Sequence, residues 1–364
     1  MHGDDDFAAW FRLLETPGLG RESARRLLAG CGSPEGVLRA PLATLKQLVG
    51  AGLAQALMQA PPGHAARLAN ATRWRTGGSD RHVLVLGDAE YPAALLQTAD
   101  PPLLLYVQGR LDRLAARSLA IVGSRHPTPQ GAQNAHAFAA HFSQQGWVVV
   151  SGLAQGIDGA AHLGALEGAA GTVAVLGTGL DLIYPRAHQA MAERIAAHGA
   201  LVSEFAPGTP ALPAHFPMRN RIIAGLTQGT LVVEAALRSG SLITARLAAE
   251  AGREVFAVPG SIHAPQSKGC HALIKQGAKL VECAQDVLDE LGGTRPLPLS
   301  APVGDLHEPD PVMAALGHDP TTLDALQDRT GMATAALNAR LLELEFAGRV
   351  SRLPGGLFQR CTKA

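Results

Sequence analysis

The chain has 364 residues, 47% of them hydrophobic and only 4% aromatic, which is more than one ordinary core and points to two or three domains packed largely through Ala, Leu and Val. Lys and Arg together number 31, as do Asp and Glu, so net charge excludes a strongly basic or acidic class. Any case for a nucleic-acid partner must rest on where the charges sit.

Residues 1–80 read as a helical domain. Its first residues, MHGDDDFAAW, are acidic and lack an apolar stretch, so a signal peptide is not expected. Phe7–Glu15 is amphipathic, Thr16–Gly20 (TPGLG) breaks it, and Glu22–Leu28 resumes a helix. Leu42–Val49, the break Gly50-Ala51-Gly52 and Leu53–Met58 repeat the arrangement. Such turns resemble the helix-hairpin-helix pattern, whose backbone N–H groups can hold a phosphate. The same glycines equally suit a plain αα-hairpin that needs φ > 0.

Residues 81–290 alternate short apolar runs with helical stretches. The expected strands are Ser118–Val122, Trp147–Ser151, Thr172–Leu176, Ala200–Ser203, Thr230–Glu234, Glu254–Val258 and Lys279–Glu282. The expected helices between them are Gly131–Gln145, Gly156–Glu167, His188–His198, Asn220–Leu226 and Leu242–Gly252. This alternation predicts an α/β domain with a Rossmann-like, doubly wound, mostly parallel sheet. Residues 291–310 are rich in Pro and Gly and read as a linker. Residues 311–364 read as a winged helix: helices Thr321–Arg329 and Thr334–Phe346, then a hairpin of Val350–Leu353 and Leu357–Arg360. The second helix offers Asn338 and Arg340 against Glu343 and Glu345, so it is expected to bind duplex DNA poorly.

In an open parallel sheet, ligands bind beyond the carboxyl ends of the strands. The loops there carry Gly123, Ser124 and Arg125; Ser151, Gly152, Ala154 and Gly156; Gly177 and Arg186; Phe216, Arg219, Asn220 and Arg221; and Ser239, Gly240, Ser241 and Thr244. Glycine admits close backbone approach, hydroxyls donate, and arginine pairs bidentately with phosphate. Across residues 115–285, twelve Lys/Arg face nine Asp/Glu. A basic rim with an aromatic ring suits a single nucleic-acid strand. Asp158, Glu204 and Glu234 share the edge; they are either catalytic carboxylates or caps and ion-pair partners that hold the loops. His162, four residues after Asp158, is a proton-transfer partner or a helix-packing histidine that bonds a loop carbonyl.

No GxxxxGK[ST], complete GxGxxG or GxSxG occurs, so a P-loop ATPase, a dinucleotide cofactor and an α/β-hydrolase are not expected. Cys31, Cys270, Cys283 and Cys361 lie far apart, which suits free thiols in a reducing cytoplasm and neither disulfides nor zinc. No cofactor, metal site or membrane span is expected.

Several ordered motifs resemble the DNA-processing protein A family (DprA/Smf). They are IVGSR (Ile121–Arg125), SGLAQGIDGAAHLGAL (Ser151–Leu166), GTGLDLIYP (Gly177–Pro185), FPMRNRIIAGL (Phe216–Leu226), EAALRSGSLITA (Glu234–Ala245), VPGSI (Val258–Ile262) and KGCHALIKQGA (Lys268–Ala278). With the lead-in Tyr91–Gly109, the resemblance covers about Tyr91 to Val281. It implies the family's three-domain form, with a sterile-alpha-motif-like N-terminal domain. It also implies a single-stranded DNA-binding mediator of natural transformation, without catalysis, that protects incoming DNA and loads the RecA recombinase. A homodimer through the Rossmann-like domain is implied as well. In this resemblance Arg125 and Arg186 contact the strand, the Gly152–Gly156 loop binds phosphate, Phe216 stacks or wedges, and Arg219 and Arg221 border the pocket. Some members place a basic residue three positions before the phenylalanine, where this chain has Pro213. The alternative is a nucleotide enzyme of the lysine-decarboxylase-like phosphoribohydrolase type, because Gly229–Glu234 resembles part of its GGxGTxxE pattern. The preceding glycines are replaced by Leu226-Thr227-Gln228.

Overall fold

The computed structural model describes residues 3–292, 310–317 and 319–361. Most of the expected linker, residues 293–309, lies outside the described residues.

Five helices open the chain: α1 (Asp4–Leu14), α2 (Arg21–Cys31), α3 (Pro34–Arg39), α4 (Leu42–Leu57) and α5 (His64–Thr76). Three aspartates in the first turn of α1 suit the positive end of its dipole. Phe7, Trp10 and Phe11 share one buried face. Inside α4 the expected break appears as a kink at Gly50, whose φ of 82° and ψ of 167° leave the helical region. Sequence periodicity missed α3, which is one and a half turns long. Ser33 caps it by accepting from Gly36 N at 3.0 Å, and Pro34 stands at its first position.

The central domain runs β1 (Arg81–Val85), α6 (Ala93–Leu96), β2 (Leu104–Gly109), α7 (Asp112–Ala115), β3 (Ser118–Val122), α8 (Pro129–Gln144), β4 (Val148–Ser151), α9 (Ile157–Ala165) and β5 (Thr172–Val175). It continues through α10 (Gln189–His198), β6 (Ala200–Ser203), α11 (His215–Leu226), β7 (Gly229–Val232), α12 (Ser241–Glu250), β8 (Glu254–Ala257), α13 (Lys268–Lys275), β9 (Lys279–Leu280) and α14 (Ala284–Glu290). The strands form one nine-stranded sheet in the order β1-β2-β6-β5-β4-β3-β7-β8-β9. From β6 to β9 every pairing is parallel, whereas β2 joins β6, and β1 joins β2, antiparallel.

Alternation along each parallel strand feeds two faces. Leu119, Ile121 and Val149 pack among α8, α9 and α14, while Ala120, Val122, Val148 and Val150 pack among α11, α12 and α13. The helical domain does not stand off from this sheet. Phe7, Trp10 and Trp74 share a buried cluster with Leu104, Tyr106 and Leu201, and Trp74 meets the Tyr106 ring edge-on at 5.7 Å.

The winged helix comprises α15 (Pro311–Leu316), β10 (Thr321–Thr322), α16 (Leu323–Thr330), α17 (Thr334–Phe346), β11 (Val350–Leu353) and β12 (Leu357–Arg360). Its strands order β10-β12-β11. Thr321 and Thr322, read from the sequence as the start of a helix, instead pair with β12. The Thr322 hydroxyl then accepts from Ala325 N at 3.2 Å and so starts α16 at the next residue. Among the described residues, no helix is long and apolar enough to cross a membrane, and no group of three His, Cys, Asp or Glu is arranged to hold a metal.

Candidate nucleic-acid interface

The chain leaves β3 toward β4 on one side and returns to β7 on the other. The crevice beyond the carboxyl ends of these strands is therefore the topological switch point of the sheet. The loop after β3 carries Gly123, Ser124 and the exposed Arg125. Its course is fixed by Glu234 beyond β7. Glu234 Oε2 accepts from Thr128 N at 2.9 Å and Oε1 from the Thr128 hydroxyl at 2.6 Å. Thr128 Oγ in turn accepts from Gly131 N at 3.0 Å and caps α8. Burial pushes the Glu234 carboxyl up, against the Thr128 hydrogen bonds.

The loop after β4 is held still more tightly. Leu153 has a φ of 58°, outside the range a bulky residue ordinarily adopts. Leu153 N donates to His162 Nε2 at 3.3 Å, and Leu153 O accepts from His188 Nδ1 at 2.9 Å. The Thr172 hydroxyl donates to Val149 O at 2.6 Å, so its oxygen accepts from His162 Nδ1 at 2.8 Å. This assigns the proton of the neutral imidazole to Nδ1. Burial, with His188 and Arg219 nearby, lowers the His162 pKa to about 3. His162 is thus a structural histidine that accepts from a loop N–H, whereas a loop carbonyl was the expected partner.

The Gly152–Gly156 loop was expected to turn its N–H groups toward phosphate. Two of them turn inward: Gly152 N and Ala154 N donate to Asp158 Oδ2 at 3.1 and 3.3 Å. Gly156 takes a φ of 81°, and a Cβ there would collide with Ser124 O, so this position requires glycine. Ser151 is fully buried and donates to Ile121 O at 2.7 Å.

Two arginines also lie elsewhere than expected. Arg219 is only 5% exposed. Its Nη1 donates to Gly152 O at 2.5 Å and to Val175 O, and its Nε donates to Asn220 Oδ1 at 2.9 Å. Burial, outweighing the attraction of Asp158, lowers its pKa to about 10. It crosses beneath the rim and ties β4 to β5; a Cβ on Gly152 would strike its guanidinium. Arg221 points away to a charge cluster, where its Nη2 donates to both oxygens of Glu204 at 2.5 Å and its Nη1 to Asp100 O at 2.7 Å. Arg21 and Arg25 of α2 bond the Asp100 carboxylate at 2.6 and 2.9 Å. Burial works to raise the Asp100 pKa, but the Arg25 hydrogen bond and the charges of Arg221 and Arg21 hold it below its ordinary value. Ser241 and Thr244 are likewise buried. Ser241 Oγ lies 2.7 Å from Ser239 Oγ.

What faces outward is a smaller set. The Arg125 guanidinium sits 5.7 Å from the Phe216 ring centre. Phe216 covers Gly177, where a Cβ would come within 3.0 Å of its ring. His215 Nδ1 bonds Gly177 O at 3.2 Å and its ring stacks on Phe205 at 4.0 Å, fixing the start of α11. Arg186 is exposed in a 3-10 turn that His188 anchors on the β4 loop. Ser124, Gly156 and Asn220 are half-buried on this rim, and Gly240 is exposed. Asn220 Nδ2 donates weakly to Gly240 O at 3.4 Å. Sequence analysis singles out Arg186 and the motif Gly177–Pro185 but not the Tyr184 ring within it, which is exposed and lies 5.6 Å from that of Phe216.

Comparisons with known proteins agree with this architecture. Residues 82–292 match the family described as DNA recombination-mediator protein A, and residues 295–356 match the DprA winged helix domain. Protein Smf of Escherichia coli is 45% identical over 287 residues, covering 76% of each chain. DNA processing protein DprA of Streptococcus pneumoniae is 50% identical over 200 residues, covering 55% of this chain and 71% of the relative. The X-ray structure of the Streptococcus pneumoniae protein superposes with a TM-score of 0.68 at 38% identity, covering 78% of this chain and 97% of that one. A Helicobacter pylori DNA processing protein A structure, described for its single-stranded DNA binding mode, gives a TM-score of 0.53 at 30% identity, covering 58% and 95%. By these matches the chain belongs to the DNA recombination-mediator protein A (DprA/Smf) family.

Proposed function

We propose that the protein binds single-stranded DNA along the rim above the carboxyl ends of β3 to β7. In this reading it works without catalysis as a recombination mediator in natural transformation, in the bacterial cytoplasm. The observation that carries this is the exposed Arg125 guanidinium over the face of Phe216. One group neutralises phosphate while the other accepts an unpaired base. Arg186 supplies a second phosphate contact, and Ser124, Gly156, Asn220, Ser239 and Gly240 border the strand. The protein protects incoming DNA and passes it to the RecA recombinase. It acts as a homodimer through the Rossmann-like domain, for which the exposed Leu280 on the edge strand β9 is a suitable surface.

The phosphoribohydrolase alternative needs a free carboxylate over a sugar. Glu234 has both oxygens engaged by Thr128, which favours the binding reading. Fluorescence anisotropy of a labelled single strand against its duplex, without nucleotide or metal, tests it. The expected result is strong single-strand preference. Release of base from nucleoside monophosphates with no strand binding would replace it by the enzyme.

A further inference from the structure

We infer that Tyr184 is a second base-stacking residue, forming with Phe216 a platform for two consecutive unpaired bases. This rests on the single-strand reading above and specifies which part of the strand the platform holds. The chain has three tyrosines. Tyr91 and Tyr106 are buried at 4% and 2% exposure, and Tyr91 donates its hydroxyl to Pro102 O at 2.6 Å. Tyr184 is 53% exposed, and among the described residues no hydrogen bond engages its hydroxyl. The Tyr184 ring touches Phe216 on one side and leaves the rest of its apolar surface in water, which suits a surface kept for a partner.

The setting identifies the chemistry. The Tyr184 and Phe216 rings lie 5.6 Å apart and are tilted by 40°, so they cannot share one base and instead offer two adjoining faces. Arg125 lies 5.7 Å from the Phe216 ring, and Arg186 follows Tyr184 by two positions. Leu182, Leu212 and Met218, on the segments that carry the two rings, are also exposed, at 42%, 46% and 38%. Apolar faces interleaved with guanidinium groups fit unpaired bases joined by phosphates. A paired duplex keeps those base faces inside its own stack.

The experiment pairs the variant Tyr184→Ala with oligothymidylate, either intact or with abasic sites at consecutive positions. Tyr184→Ala weakens intact-strand binding by roughly 5- to 150-fold, the range that base–aromatic stacking gives. On the abasic strand the variant and the parent bind alike, and Tyr184→Phe behaves as the parent on both. Equal losses on intact and abasic strands would overturn the inference, because they mark a fold defect; so would no loss on either. A parent protein that binds neither strand would instead remove the single-strand reading itself. A second arm uses Tyr184→Trp. The native Trp10, Trp74 and Trp147 are buried, at 6%, 6% and 2% exposure, so emission that responds to DNA reports position 184. Quenching on saturation with DNA is expected, and unchanged emission in a complex shown saturated by anisotropy would contradict stacking.

Discussion

Arg125 and Arg219 sit on the same edge of the sheet and do different work. Arg125 is exposed over a ring, whereas Arg219 is a buried strut whose donors satisfy Gly152 O and Val175 O. Sequence alone could not separate them, because both follow glycine- and proline-punctuated motifs and burial is set by how β4 and β5 meet. Replacing Arg219 by Met therefore leaves two carbonyls without their donor and removes the positive charge that favours the buried Asp158 carboxylate. We expect a loss of about 3 kcal/mol in urea unfolding, with the salt dependence of DNA binding by the remaining folded protein unchanged.

His162 makes a separate prediction from its lowered pKa. The unfolded imidazole takes a proton near 6.5 and the folded one only near 3. Between those values the unfolded chain binds more protons, so stability is full above pH 6.5 and falls as pH drops toward 3. Thermal unfolding across this window shows the decline. His162→Gln starts less stable at pH 8, having lost part of the Leu153 and Thr172 hydrogen bonding, yet declines less steeply with acid.

At the level of elements, strand–helix alternation made the parallel sheet legible from β3 to β9, because each strand there is followed by a helix-forming stretch. It missed β1 and β2, although Arg81–Val85 and Leu104–Gly109 are rich in Val and Leu. The connection between them, Leu86–Leu103, contains only the one-turn helix α6, as antiparallel neighbours allow. The coupling of α2 to α11 was equally hidden, since Arg21, Arg25, Asp100, Glu204 and Arg221 meet from four separate segments. This cluster fastens the helical domain to α11, the helix that begins at His215 and carries Phe216. Arg221→Ala leaves Glu204, with its side chain 14% exposed, without its principal partner. We expect a cost of about 2 kcal/mol in urea unfolding, discounted for partial solvent access. Single-strand affinity falls with it because α11 loses an anchor.

For the whole molecule, the domain plan follows from residues that act locally. Glycine kinks order the helical domain, alternating apolar pairs build the sheet, and Thr322 and the hairpin shape the winged helix. The α17 face is not laid out for phosphates: Arg340 is bound to Asp310 at 2.9 Å and to Glu343 at 2.6 Å, while Leu342 and Phe346 are exposed. In the proposed function, strand binding therefore falls to the central rim, through Arg125 and Arg186. The most direct test is the slope of log affinity against log salt for a single strand, in the parent and in Arg125→Ala/Arg186→Ala. The account predicts loss of most of the affinity and a slope shallower by about 0.7 for each phosphate contact removed. A double variant that binds with the parent's affinity and slope would contradict it.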